Sequence, residues 1–177
     1  MARLTQYFPY TSWQGLVLPA LASRIRVVSR NVNSMGDDQK TDQIFNYKYR
    51  NPADVFILLD TRTSPEDTVR LQKKWKGVTV FNSLRSNARG IAVFFKDSIA
   101  PKDVQIVNVI PGNLSYLTFT AFDKKFLAIN IYGPNRDDPD FYRRHVFNIT
   151  NFPVHDFAMW AGDWNLVLDQ SKDTKNY

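Results

Sequence analysis

Residues 54–67 read Asp54-Val55-Phe56-Ile57-Leu58-Leu59-Asp60-Thr61-Arg62-Thr63-Ser64-Pro65-Glu66-Asp67. The apolar side chains from Val55 to Leu59 do not alternate with polar ones, so a strand here must be covered on both faces. Asp60 ends it abruptly. A little further on, Ser64 can cap a helix, and Pro65 suits the first turn because no amide hydrogen is needed there. An acid three residues after the serine completes the start signal. The helix is expected to run to about Lys76.

Working outward, Ile25 to Arg30 reads as another strand, running into the polar knot Asn31-Val32-Asn33-Ser34. Residues 40–50 form a helix-like window that contains Ile44, Phe45, Tyr47 and Tyr49. Beyond the second helix, Val78–Phe81 and Ile91–Phe95 flank the polar loop 82–90. Val104–Ile110, Leu114–Ala121 and Phe126–Ile131 follow as a hairpin-connected meander. Asp138-Pro139-Asp140 opens a helix expected to reach about Thr150, and Phe157–Ala161 is a last strand. This order predicts a mixed α/β sheet protein. Residues 1–24 are expected to be an irregular leader. The short apolar run Leu16–Ala22 is broken by Pro19, which makes it a poor signal peptide.

Composition narrows the chemistry. At 177 residues, with 44% hydrophobic and 23% charged residues, the chain suits one soluble domain with a real core. It has no cysteine, which removes disulfides, thiolate zinc sites and cysteine nucleophiles. The two histidines, His145 and His155, cannot alone supply a zinc site. A bound metal would therefore be held by oxygen. The net charge of +6 suits either an anionic partner such as nucleic acid or simple solubility, and the surplus lies in the first hundred residues. Glu66 is the single glutamate among 17 acids. Aspartate favours caps, turns and strand ends, which argues against a helix bundle. No stretch approaches the roughly 20 apolar residues of a membrane span, so no membrane partner is expected.

Four apolar strands end in polar groups: Asn31 with Asn33, Asp60, Tyr132 with Asn135, and Asp163 with Asn165. If those strands share one sheet edge, two carboxylates, four amides and a phenol converge outside their carboxyl ends, where ligands of sheet proteins gather. Such a set offers hard oxygen ligands for Mg²⁺ and donors for phosphate oxygens. The alternative is that Asp and Asn simply favour the turns that end strands.

At these residues the chain resembles the endonuclease/exonuclease/phosphatase superfamily. The segments stand in the family's order: Asn31-Val32-Asn33, Leu59-Asp60-Thr61-Arg62, Arg89-Gly90-Ile91-Ala92-Val93, Asn130-Ile131-Tyr132-Gly133-Pro134-Asn135 and Gly162-Asp163-Trp164-Asn165. The Ile-Tyr-Gly-Pro-Asn block and the closing Gly-Asp-Trp-Asn-Leu-Val-Leu look most like the endonuclease domains of LINE-type retrotransposons. The resemblance implies a four-layer α/β/β/α sandwich over residues 25–177, incomplete at its C-terminus. It implies a DNA-nicking phosphodiesterase using Mg²⁺ or Mn²⁺, and a longer polypeptide that also carries a reverse transcriptase. It also implies an intracellular location, nuclear in a eukaryotic host.

Roles carry over residue by residue. Asp60 matches the metal carboxylate, and Asn33 stands near the metal. Asn31 would position the scissile phosphate, and Tyr132 would contact it. Asn135 would support the Tyr132 loop. Asp163 would orient or deprotonate the attacking water, and Asn165 would touch the phosphate or its neighbours. Arg62, Arg85, Arg89 and Arg136 are candidate DNA contacts.

The departures are specific. The family carries Glu where Asp60 stands, and a chain one methylene shorter loses roughly 1 Å of reach, a displacement that can cost about a hundredfold in rate. Arg62 stands where many relatives have His, and Ser34 where Gly is usual. Relatives also carry a carboxyl-terminal Asp-His pair that neither His145 nor His155 matches, so this stretch alone is expected to be inactive or nearly so. Two other readings stay open at this stage: an AP-site repair nuclease or another superfamily phosphatase, and a non-catalytic basic binder of nucleic acid.

Overall fold

A computed structural model describes residues 14–19, 24–84, 88–136, 138–149 and 151–166, the first of these segments as backbone only. The first sheet holds β1 (Gln14–Pro19), β2 (Arg24–Asn31), β3 (Val55–Leu59), β4 (Thr79–Asn82) and β5 (Ile91–Phe95), in the order β1-β2-β3-β5-β4. The second holds β6 (Lys102–Ile110), β7 (Leu114–Ala121), β8 (Lys124–Tyr132) and β9 (Phe157–Asp163), in sequence order. Within each sheet one pair is parallel, β2 with β3 and β8 with β9; the other pairs are antiparallel.

Side-chain alternation divides the core into three layers of apolar packing. Val55, Ile57 and Leu59 of β3 join Val93 and Phe95 of β5 against Leu117, Phe119, Phe126 and Ala128 of the second sheet. The opposite face, with Phe56, Leu58 and Phe94, packs under Phe45 of α1 (Asp38–Arg50) and under Leu71 and Trp75 of α2 (Pro65–Lys74) and its cap. On the far side Leu127, Ile129 and Ile131 lie under Tyr142 and Val146 of the π-helical turn that follows the short α3 (Pro139–Phe141). The result is the expected four-layer α/β/β/α sandwich. Both faces of β3 and β8 are covered, which explains their unbroken apolar runs. No helix among the described residues is long and apolar enough to cross a membrane.

Local signals hold where chemistry is short-range. Ser64 accepts from the Asp67 amide at 3.1 Å, and the Asp67 side chain accepts from the Ser64 amide at 3.0 Å, closing the capping box at α2.

Two expectations change. Gln14–Pro19, read as part of an irregular leader, is β1, paired antiparallel with β2 from Gln14↔Ser29 to Pro19↔Arg24, because the open edge of β2 offers a ladder to the chain before it. The buried stripe of α1 is Thr41, Phe45 and Lys48, at i, i+4 and i+7, whereas Tyr47 and Tyr49 are exposed. The helix expected after Asp138 shortens to α3 and the turn Tyr142–Val146, and Thr150 lies outside the described residues.

Candidate active site

The four polar-ended strands do not share one sheet edge. β2 and β3 are neighbours in the first sheet and β8 and β9 in the second, and their carboxyl ends meet across the sandwich. Asn31 at the end of β2 donates from Nδ2 to Asp163 Oδ2 at 3.0 Å, tying one sheet to the other. Its Oδ1 accepts the Asn33 amide at 3.0 Å, an Asx turn that lets the chain reverse. The amides of Ser34 and Met35 then bond to the carbonyls of Asp60 at 2.7 Å and Thr61 at 2.8 Å, so the exits of β2 and β3 are fixed together.

The exit of β3 is built from left-handed residues. Asp60 has φ 54° and Arg62 φ 51°, which turns both side chains toward the same space. Arg62 answers the buried Asp60 carboxylate with a two-pronged bond, Nε to Oδ1 at 3.0 Å and Nη2 to Oδ2 at 2.8 Å. The amides of Thr61 and Arg62 bond to the carbonyls of Gly90 at 3.1 Å and Arg89 at 2.7 Å. Gly90 is required there: its φ is +113°, and a Cβ would come within 2.4 Å of Thr61 Oγ1. Behind this loop Asn113, itself buried, accepts Arg89 Nη1 at 2.5 Å and donates to the Tyr132 carbonyl at 2.5 Å. The turn Pro111-Gly112-Asn113 signals only a hairpin in the sequence, so the part Asn113 plays in aiming Arg89 was not foreseen.

From the second sheet, the Gly133 amide bonds to the Asp163 carbonyl at 2.7 Å. Asn165 Nδ2 donates to the Gly133 carbonyl at 2.9 Å and to Asn135 Oδ1 at 3.2 Å, and Tyr132 donates its hydroxyl to the same Asn135 oxygen at 3.3 Å. The Asn165 amide donates to Asp163 Oδ1 at 3.2 Å. Tyr142, a residue sequence reading passed over, donates its hydroxyl to the Trp164 carbonyl and so holds the loop between Asp163 and Asn165. Burial, reinforced by the charges of Asp163 and Asp138, pushes its phenol up to about 12.

These exits border a cleft of about 360 Å³ whose polar lining is Asp60, Arg62, Arg89, Tyr132, Asn135 and Arg136. Three guanidiniums against one carboxylate make it a place for an anion. Burial and the Asp60 charge raise the Tyr132 phenol above its usual value, opposed in part by its bond to Asn135, so it stays protonated and able to donate. Arg62 is held in its charged form by its bond to Asp60 and by that carboxylate's charge.

The structure thus gathers Asn31, Asp60, Tyr132, Asn135, Asp163 and Asn165, while Asn33 is exposed on the turn that follows Asn31. Arg89 and Arg136 line the cleft as exposed cations. Arg62, expected as a DNA contact, lines the cleft and is bonded to Asp60. Arg85 lies outside the described residues. His145 and His155 are exposed and line no part of the cleft; His145 faces the Phe141 ring and His155 Nδ1 lies 2.8 Å from the Pro153 carbonyl.

No family model matches the chain. Its structure is similar to that of a Neisseria 3′ phosphatase, NExo, bound to a product DNA hairpin (TM-score 0.51, 18% identity, 79% of this chain and 57% of that one). It is also similar to a humanized TDP2 of D. rerio (TM-score 0.56, 15% identity, 82% and 64%). An AP endonuclease from Archaeoglobus fulgidus shares the architecture at a TM-score of 0.50, with 19% identity over 78% of this chain and 56% of that one. The fold is that of the endonuclease/exonuclease/phosphatase superfamily. In sequence, the chain is 24% identical over 147 residues to a 149 kDa protein of transposon TX1 from Xenopus laevis. That match covers 82% of this chain and 11% of the transposon protein. The chain spans less than two thirds of each of these relatives.

The superfamily fold implies a divalent cation, and the donor chemistry here suits one. Mg²⁺ is usually held by one or two carboxylates, with waters and substrate phosphates completing the shell. Asp60 offers a buried carboxylate on which Arg62 takes one position at each oxygen, leaving a further lone pair on each. Among the described residues no cluster of three or more His, Cys, Asp or Glu side chains is present. Such an ion would therefore lean on amide, water and phosphate oxygens besides Asp60.

Proposed function

We propose that this chain is the DNA-nicking part of a longer, transposon-type polypeptide, hydrolysing a phosphodiester bond at the cleft between its two sheets. The observation that carries the reading is the bond from Asn31 to Asp163, which joins residues 132 positions apart at the carboxyl ends of opposed strands. A structural role alone does not require a carboxylate there, on the rim of an arginine-lined cleft. The transposon relative supports DNA as substrate and a longer polypeptide as context.

In this reading Asp60, with Asn33 beside it, would hold Mg²⁺ or Mn²⁺, whose chemistry is to neutralise charge developing on the phosphate. Asp163 keeps one lone pair on each oxygen after accepting from Asn31 and from the Asn165 amide. It orients the attacking water and takes its proton. Tyr132, kept protonated, donates to a phosphate oxygen, and Asn135 fixes the phenol's direction. Asn31 and Asn165 position Asp163 and border the phosphate, while Arg89 and Arg136 hold the neighbouring backbone. Attack by water in line with the departing oxygen needs no covalent intermediate.

The test is nicking of supercoiled plasmid with Mg²⁺, using this chain and a version extended through the sequence that follows it in its gene. Loss of nicking in Asp163→Ala and in EDTA, with DNA affinity largely kept, is the expected result. DNA binding indifferent to EDTA and to Asp163→Ala, without nicking by either protein, would replace the enzyme with a binder. The Arg62 fork on Asp60 is the observation favouring that second reading.

A further inference from the structure

Assigning Asp60 to a cation leaves Arg62 to be explained. Its guanidinium takes both carboxylate oxygens, at 3.0 and 2.8 Å, in the fork geometry that matches a carboxylate best. The contact is built in by the backbone. Both residues are left-handed, and the Arg62 amide is pinned to the Arg89 carbonyl at 2.7 Å. The Asp60 side chain is 5% exposed and that of Arg62 38%, so the carboxylate is fixed inside while the guanidinium opens onto the cleft. Arg89 is tied to Asn113 and Arg136 is exposed. Of the three arginines lining the cleft, Arg62 is the one bonded to the carboxylate that a hard cation would need.

We propose that Arg62 is a displaceable counter-ion. It occupies Asp60 in the resting protein, competes with a divalent cation for that carboxylate, and once released turns to the substrate phosphate in the same cleft. The inference rests on Asp60 being the metal carboxylate. A doubly charged ion and a guanidinium on one buried carboxylate repel each other where little water screens them, so binding of one weakens the other. The swap also matches charge to need: the Asp60–Arg62 pair is neutral at rest, and a guanidinium is freed when a phosphate must be held.

The experiment is a Mn²⁺ titration of the DNA-free protein, followed by the loss of the free-ion electron paramagnetic resonance signal. Wild type is compared with Arg62→Gln, Arg62→Lys and Asp60→Asn, with folding checked by circular dichroism. Arg62→Gln should bind Mn²⁺ about tenfold more tightly, equivalent to about 1.4 kcal/mol. Arg62→Lys, whose ammonium lacks the planar fork, should fall between it and wild type. Asp60→Asn should bind far more weakly. An unchanged or weaker Kd in folded Arg62→Gln would overturn the counter-ion, as would Mn²⁺ binding that ignores Asp60→Asn. Because no DNA is present, the result is independent of nicking. Tightening without nicking by any version would keep the counter-ion and sink the hydrolase, and nicking with an unmoved Kd would do the reverse.

Discussion

Replacing Lys48 with methionine should stabilise the protein. Lys48 sits on the buried stripe of α1 with 0% exposure, its amine 4.7 Å from the Phe56 ring centroid and 4.9 Å from that of Phe94. Its Nζ has no hydrogen-bond partner among the described residues. Burial, with the Arg30 charge adding to it, holds the ammonium well below its usual value of 10.5. An unpartnered buried polar group costs about 1–3 kcal/mol. The aromatic faces return part of that only while the amine is charged. Methionine keeps the length and the methylenes and removes the amine, so Lys48→Met should gain about 1–3 kcal/mol at pH 7.5, on the order of 1 M in urea midpoint. The sign with pH follows from the lowered value. Between the lowered native value and 10.5 the unfolded chain binds more protons than the native one, so wild-type stability rises with pH through that window, by at most about 1.4 kcal/mol per unit. The methionine variant lacks that slope, and the gap between the two proteins should narrow from pH 7.5 to 9.5. Urea unfolding followed by tryptophan fluorescence measures both effects. A methionine variant less stable than wild type, or a gap that ignores pH, would refute the reasoning.

Three further changes probe the site. A Cβ on Gly133 would stand 2.1 Å from the Trp164 carbonyl oxygen and 2.2 Å from the Tyr142 hydroxyl. Gly133→Ala should therefore cost about 1–3 kcal/mol in a thermal melt and abolish nicking, because the loops carrying Asn135 and Asn165 are forced apart. Asn113→Ala should cost a similar amount by stranding the Tyr132 carbonyl, and should weaken DNA binding by freeing Arg89; Arg89→Ala should weaken binding with no change in melting temperature. Arg136 is exposed on the cleft, so Arg136→Gln should leave stability intact and reduce the salt slope of DNA binding by about one.

How much was legible depended on the range of the forces involved. The Ser64 cap, the strand runs and the polar strand ends are local, and they appear in the fold at nearly the positions read from the sequence. The order of motifs pointed to the right fold because it records topology that no single segment contains. Which polar strand ends belong to which sheet was not legible from spacing: such ends look alike whether they line one edge or face each other across an interface. The buried face of α1 was not readable because aromatic residues are apolar at any angle. Tyr49 satisfies itself by stacking on Trp75 at 5.0 Å from the surface, while the register of the helix carries Lys48 inward. Asn113 and Tyr142 act through backbone carbonyls of distant loops, and neither residue type announces such a partner.

The aspartate at position 60 has a physical reading beyond its shorter reach. Six of the ten non-glycine residues with positive φ among the described residues are at the site: Asn33, Ser34, Asp60, Arg62, Arg89 and Asn165. Each left-handed residue costs of order 1 kcal/mol, and Asp and Asn adopt that conformation more readily than longer side chains do, because their short polar groups bond locally. A strand that must leave the sheet with a left turn at position 60 therefore favours Asp over Glu on backbone grounds. The left-handed turns at Asp60 and Arg62 together set the fork, with Nε to Oδ1 at 3.0 Å and Nη2 to Oδ2 at 2.8 Å. Asp60→Glu should accordingly break the fork and strain the turn together. It should lower the melting temperature even if it tightens Mn²⁺, and a glutamate variant as stable as wild type with the Arg62 effect retained would show that the backbone does not set the choice.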